Sequence, residues 1–383
     1  MSTKEHINCL LASPAHPVIG QPRTAASLRR AYPPKGVNYV FINGKVPKAP
    51  EKGEYAVTKA TAVKWIGAAL RAGANPDVDL AHFFFWYLPR AASTFWSYWL
   101  PGILQARLPA LSRTLERFAK PWIQENDTSV SQLLEGYMGS SSEKLHWLVE
   151  LSSEIINSRS NKGLITWSRW AADGFSRDGV EREKLRVIPL PLKPSPKTFS
   201  TDENWKTKRR TVLFVGLDYR RKGGDVVLRV MEGLKRELND VKLIYVGKVP
   251  KEAMPSFDKD WIERYDFLER QKLISLYSSV DAFFMPTRAE AYGLSILEAM
   301  ATGTPVVTTN VGAIPEVVTD GSGYLHDPDD EEGMMESLAR LLTDRDLNER
   351  VGKNGIGVVE KRHDPISVSK QVYGVYATAL GLD

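Results

Sequence analysis

The stretch from Phe283 to Gly312 reads FFMPTRAEAYGLSILEAMATGTPVVTTNVG, and it decides the fold. It begins within an apolar run at 280–285, which is typical of a strand buried on both faces. A short helix is predicted over about 293–302, and Gly303 is well placed to end it. Residues 305–308 form the next predicted buried strand. Strand, loop, helix and strand together predict a parallel βαβ unit.

The amino end of this helix is suited to a phosphate, because it exposes unpaired N–H groups and the positive end of the helix dipole. Gly293 lets a ligand approach the backbone closely. Glu298 lies about one turn into the helix, and Glu290 lies on the loop before it. Ionised carboxylates only accept hydrogen bonds, so they suit sugar hydroxyls rather than phosphate oxygens. The pattern predicts a nucleotide-sugar site, and the alternative is that both glutamates are solvated surface residues.

These residues resemble a known family. Two glutamates separated by seven residues, followed by Thr304-Pro305-Val306-Val307 and by residues 311–318, are similar to the signature of the family 4 glycosyltransferases. The similarity is good from about Val212 to the end of the chain and patchy before residue 120. The resemblance implies the GT-B fold, an α/β architecture of two Rossmann-like doubly wound domains that face a cleft. It also implies transfer with retention of anomeric configuration, with Glu290 on the donor sugar and Glu298 on the ribose.

A second segment supports the resemblance. Residues 211–216 read as a buried strand that ends in glycine, followed by a basic turn and a helix, which is again a phosphate-binding arrangement. In the family, the lysine of a Lys-Gly pair contacts the donor diphosphate, and Lys222 fits that position. Leu217 stands where many members carry arginine, so Arg220 or Arg221 is expected to supply the missing charge. A solvated basic turn is the alternative.

The resemblance therefore implies a set of site residues. The catalytic candidates are Glu290, Lys222 and Asp127. The donor-binding candidates are Gly216, Arg220, Arg221, Lys222, Glu290, Tyr292, Gly293, Leu294, Ser295 and Glu298. Gly20 and Asn126 are candidates on the acceptor side. Many family members carry a histidine near Asn126, and this chain does not. A turn residue that caps local N–H groups is the alternative for Asp127.

Alternating β and α patterns predict a first, acceptor-binding domain over 1–190 and a second, nucleotide-sugar-binding domain over 205–365. The proline-rich run at 191–204 is the predicted linker between them. In the family, the last helix packs back on the first domain, which here would involve about 366–383. The strands predicted in the second domain lie near residues 212–215, 242–246, 282–285 and 305–308.

Length and composition agree with a globular two-domain protein. The chain has 383 residues, of which 43% are hydrophobic and 25% charged. The single Cys9 excludes a disulfide framework and permits a reducing compartment. The amino terminus lacks a signal-peptide layout, and the uncharged run at 91–106 is shorter than the about 20 residues of a spanning helix. A cytoplasmic location is therefore expected.

Charge is distributed unevenly. Residues 1–110 hold 13 Lys and Arg against 5 Asp and Glu. This basic part, with its aromatic residues at 83–99, predicts peripheral contact with a membrane, although a solvated basic face and a buried aromatic core explain the same residues. Asp77-Val78-Asp79 formally matches a metal motif of another glycosyltransferase fold, but it precedes a strand rather than following one. No metal ligand, cofactor or nucleic-acid partner is expected.

The predicted function is a retaining, hexosyltransferase-type glycosyltransferase that moves a sugar from a nucleotide-diphosphate sugar to a hydroxyl of a glycan, lipid or small molecule. Two alternatives stay open. One is a nucleotide-sugar epimerase or phosphorylase of the same architecture. The other is a non-catalytic homologue that acts as a binding partner, which the departures at Leu217 and Asn126 favour.

Overall fold

The chain divides into two compact units. In the computed structural model, residues 6–12, 25–40, 78–84, 121–139, 146–195 and 210–382 are described. The first unit comprises Met1–Pro191 and Pro365–Asp383, and the second comprises Leu192–Asp364. The described part of each unit contains one six-stranded sheet.

The described part of the first unit contains six strands and several helices. Its strands are β1 (Ile7–Ala12), β2 (Val37–Val40), β3 (Leu80–Phe84), β4 (Trp122–Asn126), β5 (Asn161–Thr166) and β6 (Leu185–Val187). Its helices are α1 (Ala25–Ala31), α2 (Val130–Met138), α3 (His146–Ile156), α4 (Arg169–Arg177) and the last helix of the chain, α11 (Pro365–Leu380), with a 3-10 helix at Arg182–Lys184. The strand order is β2-β1-β3-β4-β5-β6, and all neighbours pair in parallel.

The core of the first unit lies between its sheet and α11. Apolar side chains of five strands, such as Leu80 and Ile123, pack with Val368, Val372 and Tyr376 of that helix. These side chains of α11 recur every four residues and so lie on one helix face. Helix α11 follows the second unit in sequence and completes the core of the first.

The second unit repeats the same architecture. Its strands are β7 (Arg210–Val215), β8 (Val241–Val246), β9 (Ile262–Tyr265), β10 (Ala282–Met285), β11 (Val306–Thr309) and β12 (Gly323–His326). Its helices are α5 (Gly224–Glu237), α6 (Arg270–Ser279), α7 (Leu294–Ala301), α8 (Ile314–Val317), α9 (Glu331–Thr343) and α10 (Arg345–Arg362), with a 3-10 helix at Met254–Phe257. The strand order is β12-β11-β10-β7-β8-β9, again with parallel pairs throughout.

The sheet of the second unit is buried at its centre and half-exposed at its edges. All four residues of β10 and of β11 are buried, whereas β9 and β12 contain no buried residue. The four strands expected from the sequence are present as β7, β8, β10 and β11. Strands β9 and β12 were missed, because an edge strand lacks the continuous apolar run that marks a buried one.

Both units therefore have the doubly wound α/β architecture that the sequence predicted. Among the described residues, no helix is both long enough and apolar enough to cross a membrane.

Candidate functional site

The carboxyl ends of β7 and β10 form the topological switch point of the second unit. From β7 the sheet continues through β8 and β9 on one side, and through β10, β11 and β12 on the other. Ligands of open α/β sheets bind at this point, outside the carboxyl ends of the strands. Two connecting segments meet there. The first loop, residues 217–223, follows Gly216 at the end of β7, and the second loop, residues 286–293, follows β10.

The two loops approach each other so closely that glycine is required. Gly223 has a φ of 76°, and a Cβ atom there would overlap the carbonyl oxygen of Pro286 in the second loop. Gly312 has a φ of 60°, and a Cβ atom there would overlap the carbonyl oxygen of Glu290. Only glycine combines these backbone angles with such contacts. Glycine is therefore required where the first loop meets Pro286 and where residue 312 meets the backbone of Glu290.

Lys222 of the first loop and Glu290 of the second form an ion pair. Their side chains are only 13% and 12% exposed. Burial by itself raises the pKa of the Glu290 carboxyl, but the charge and hydrogen bond of Lys222, aided by Arg221, outweigh burial and bring the pKa below its ordinary value. Glu290 is therefore ionised at neutral pH and acts only as a hydrogen-bond acceptor.

The two arginines of the first loop occupy different environments. Arg221 donates from Nη1 to the carbonyl oxygen of Ala289 at 3.0 Å, and its own carbonyl accepts from the Thr287 hydroxyl at 3.1 Å. Its guanidinium therefore lies beside the residue that precedes Glu290. Arg220 is exposed. Leu217, where the resemblance leads one to expect arginine, is 55% exposed. The charge of Arg221, together with Lys222, lowers the pKa of the Glu290 carboxyl.

Helix α7 begins at the same place. Its N-cap residue is Gly293, with a φ of 86°, and no side chain caps its first turn. The amides of Leu294 and Ser295 are therefore suited to an anionic ligand. The ring of Tyr292 is buried and packs edge-on against His363, with ring centroids 6.3 Å apart. The backbone N–H of Tyr292 instead donates to the Glu290 carboxylate.

Glu298 lies one turn into α7 and is 7% exposed. Its Oε1 accepts a hydrogen bond from Arg270 Nη1 at 3.0 Å, and Arg270 is the first residue of α6. Sequence reasoning missed Arg270, because the two residues are 28 positions apart and no local motif connects them. This hydrogen bond connects the Glu298 carboxylate to the start of α6.

The remaining candidates belong to the first unit. Asn126 ends β4, and Asp127, which follows it, is buried. Helix α2 is capped by the Ser129 hydroxyl, and the Gln132 Oε1 accepts a hydrogen bond from the Ser129 backbone N–H. Gly20 lies outside the described residues. The roles of these three candidates stay predictions.

The described residues contain no group of three or more His, Cys, Asp or Glu side chains that could hold a metal ion. Asp79, from the formal metal motif, instead accepts the backbone N–H of Asn8 at 3.0 Å and so ties its own segment to β1. Asp77 lies outside the described residues.

Comparison with known proteins finds similarity in the part of the chain that holds this geometry. Residues 197–358 match the family model described as glycosyl transferases group 1. Phosphatidyl-myo-inositol mannosyltransferase of Mycobacterium leprae is 33% identical over 217 residues, which cover 55% of this chain and 56% of the relative. Capsular polysaccharide biosynthesis glycosyltransferase CapM of Staphylococcus aureus is 34% identical over 219 residues, covering 54% of this chain and 55% of the relative. The matched regions thus span about half the length of these relatives.

Solved structures show the same fold along the whole chain. Sucrose-phosphate synthase from Thermosynechococcus elongatus superposes with a TM-score of 0.71 at 17% identity, covering 99% of this chain and 100% of the other. HepE of Anabaena, solved with UDP-glucose, superposes with a TM-score of 0.65 at 15% identity, covering 97% of this chain and 100% of the other. The fold is GT-B. Residues 197–358 are similar to the group 1 glycosyl transferases, in agreement with the resemblance seen in the sequence.

Proposed function

We propose that this protein transfers a sugar from a nucleotide-diphosphate sugar to a hydroxyl acceptor, with retention of anomeric configuration. The observation that carries the proposal is the Lys222–Glu290 pair at the switch point, beside the uncapped start of α7. This arrangement places a cation and free amides next to an ionised acceptor, which is what a diphosphate joined to a polyhydroxylated ring needs.

Binding of the donor would separate Lys222 from Glu290, because each of the two side chains would bind a different part of the ligand. The diphosphate takes Lys222, Arg221 and the amides of Leu294 and Ser295, while hydroxyls of the transferred sugar take Glu290. As the glycosidic bond breaks, negative charge grows on the leaving diphosphate, and these fixed positive groups stabilise it. Neither glutamate needs to act as a nucleophile. The proposal needs no metal ion or cofactor, because the protein's own cations balance the diphosphate.

Glu298 is proposed to bind the ribose. Its carboxylate is buried one turn into the helix and accepts a hydrogen bond from Arg270. Glu298→Ala is expected to raise the Kd for UDP or GDP about tenfold, since the hydroxyls of the ribose lose a charged acceptor worth about 1.5 kcal/mol or more. The control is Glu232→Ala, whose partner Lys259 belongs to a surface pair of the same unit. Unchanged nucleotide affinity in calorimetry would rule out this role.

The decisive experiment combines binding and turnover. A thermal-shift panel of UDP-, GDP- and ADP-sugars identifies the donor, because a ligand that binds the native state raises Tm. Slow donor hydrolysis, with water as acceptor, then reports on catalysis through release of the nucleoside diphosphate. Lys222→Met is expected to lower this rate by about 10²–10³, the usual cost of removing one group that stabilises the developing charge.

Lys242→Met is the matched control. Lys242 forms a similar ion pair with Glu263 in the same unit, but it lies near the start of β8, at the amino ends of the strands rather than at their carboxyl ends. We expect it to turn over donor at the wild-type rate. Equal turnover in Lys222→Met and Lys242→Met would refute the proposal. Conversion of the donor into an isomeric nucleotide sugar without any acceptor would establish the epimerase alternative instead.

A further inference from the structure

Arg288 lies in the second loop, two residues before Glu290. It makes a bidentate contact with Asp225 of α5, the helix that follows the first loop. Its Nη1 and Nη2 donate to the two carboxylate oxygens of Asp225 at 2.7 and 2.8 Å. Asp225 lies in the first turn of α5, three residues after Lys222. A two-point contact between a planar guanidinium and a carboxylate fixes direction as well as distance.

The same arginine makes two more contacts with the first loop. Nη1 also donates to the carbonyl oxygen of Arg220 at 2.7 Å, and the Arg288 backbone N–H donates to the carbonyl oxygen of Arg221 at 2.7 Å. The first loop is therefore joined to the second through both the side chain and the backbone N–H of Arg288. Lys222 and Glu290 are 68 positions apart in sequence, so the meeting of their side chains depends on how the two loops dock.

The charges of the pair agree with this geometry. Burial raises the pKa of the Asp225 carboxyl, but the hydrogen bond and charge of Arg288 outweigh burial and bring the pKa below its ordinary value. The position of Asp225 in the first turn of a helix favours its ionised form further. The Arg288 guanidinium is directed at Asp225 and the Arg220 carbonyl, so it acts on the site through the loops.

We propose that Arg288 and Asp225 are positioning residues of the donor site, which hold Lys222 against Glu290 before the donor binds. The inference rests on the proposed function, because it assigns the pair to the geometry of that site. The Arg288 and Asp225 side chains are 37% and 19% exposed, and pairs this open to solvent contribute little to global stability. The effect of breaking the pair should therefore fall on binding and turnover and leave unfolding almost unchanged.

The test measures the full-length chain and its Arg288→Gln variant by calorimetry with UDP, GDP and ADP. Donor hydrolysis is measured with the donor that the thermal-shift panel selects. We expect the Kd for the nucleotide to rise about tenfold and hydrolysis to fall about tenfold to a hundredfold, because a displacement of about 1 Å within a catalytic arrangement has effects of this size. The Tm should fall by less than about 2 °C.

Three further variants separate positioning from a general loss of structure. Arg288→Lys keeps the charge but loses the bidentate contact, so it should recover only part of the activity. Asp225→Asn combined with Arg288→Gln should be no worse than the worse single variant, because the two residues act as one unit. Arg345→Gln is the control, since Arg345 is a comparably exposed arginine that pairs with Glu349 on α10, and it should resemble the wild type.

Hydrogen exchange supplies a readout that needs no ligand. Amides of residues 286–293 should exchange about tenfold faster in Arg288→Gln, because the side-chain hydrogen bonds that connect the two loops are lost. Wild-type affinity and turnover in Arg288→Gln would overturn the inference, whether or not exchange is faster. If the wild-type chain binds none of the three nucleotides, the proposed function fails first and the inference falls with it.

Discussion

Glu125 and Glu290 are both ionised glutamates with lowered pKa values, yet their surroundings differ. Glu125, on β4 of the first unit, is 1% exposed. It accepts hydrogen bonds from the Arg29 guanidinium at 2.9 Å and from Trp167 Nε1 at 2.7 Å, and His82 Nε2 lies 3.0 Å from its other oxygen. Glu290 lies on a loop, with the single flexible side chain of Lys222 as its ion-pair partner.

The contrast shows that a perturbed pKa does not by itself mark a binding site. For Glu125, burial raises the pKa, but Arg29 and His82 outweigh burial and bring it from 4.5 to about 2. Its partners come from a helix, a neighbouring strand and a third segment. If they moved away, the buried Glu125 carboxylate would be left without compensating contacts. The partner of Glu290 can turn to a ligand. Glu125 is thus a structural acid, and Glu290 is proposed to be a ligand-binding one.

The ionised state of Glu125 also determines which atoms of the neighbouring His82 and Tyr376 side chains donate and which accept hydrogen bonds. Because an ionised carboxylate only accepts, His82 carries its proton on Nε2, and Nδ1 accepts from the Tyr376 hydroxyl at 2.7 Å. The Tyr376 oxygen in turn accepts from the Tyr39 hydroxyl at 3.1 Å. This chain of hydrogen bonds connects α11 to β2, β3 and β4.

Removal of the Glu125 carboxylate should have the largest effect on stability. Glu125→Ala leaves the buried Arg29 guanidinium without its counterion, which we expect to lower the free energy of unfolding by about 3–5 kcal/mol. Urea denaturation followed by tryptophan fluorescence measures this change. The double variant Arg29→Met with Glu125→Leu should recover most of the loss, because no unpaired charge stays buried. A cost below about 1 kcal/mol for Glu125→Ala would show that the group is not structural.

Lowering the pH should also remove the stabilisation by Glu125, with a slightly smaller loss of unfolding free energy than Glu125→Ala causes. The folded pKa of Glu125 lies below its unfolded value, so its stabilisation is complete above about pH 4.5 and is lost as the pH falls toward 2. That loss amounts to about 3 kcal/mol, at about 1.4 kcal/mol per pH unit. Burial also lowers the pKa of His82, so a first decline should begin below pH 6.5.

Two variants assign the two declines. His82→Gln should remove the decline between pH 6.5 and 4.5, and the Arg29→Met, Glu125→Leu variant should weaken the decline below pH 4.5. The measurement is the unfolding free energy from urea titrations at several pH values. If both variants reproduce the wild-type pH profile, the titrating groups lie elsewhere.

The residues of the proposed donor site could be predicted from sequence far better than the Glu125 group. The helix start at Gly293 and the two glutamates follow from local signals, namely an apolar run, glycine punctuation and a fixed spacing. The Glu125 group joins residues that are 96 and 42 positions from Glu125, and His82 and Tyr376 are 294 apart. No local pattern carries such pairings. For the same reason the sequence did not indicate the roles of Arg270 and Arg288.

Tyr376→Phe should have a smaller effect than acid. It removes one hydroxyl and leaves the buried His82 Nδ1 without its donor, which costs about 2 kcal/mol of unfolding free energy. Tyr373→Phe is the control, since Tyr373 lies on the same helix but is 38% exposed, and its effect should stay within about 0.5 kcal/mol. Equal effects of the two substitutions would show that the hydrogen bond of the Tyr376 hydroxyl does not stabilise the fold.

The smallest effect on stability should come from Glu290. The Lys222 side chain is partly exposed, and in Glu290→Ala its long flexible stem lets the ammonium reach water. We therefore expect a cost of about 1 kcal/mol or less. Donor hydrolysis should nevertheless fall steeply, because the transferred sugar loses its charged acceptor. A residue that is nearly dispensable for folding yet needed for turnover is the opposite of Glu125. If Glu290→Ala destabilised the protein as much as Glu125→Ala, Glu290 would be another structural acid, and its assignment to the donor sugar would have to be withdrawn.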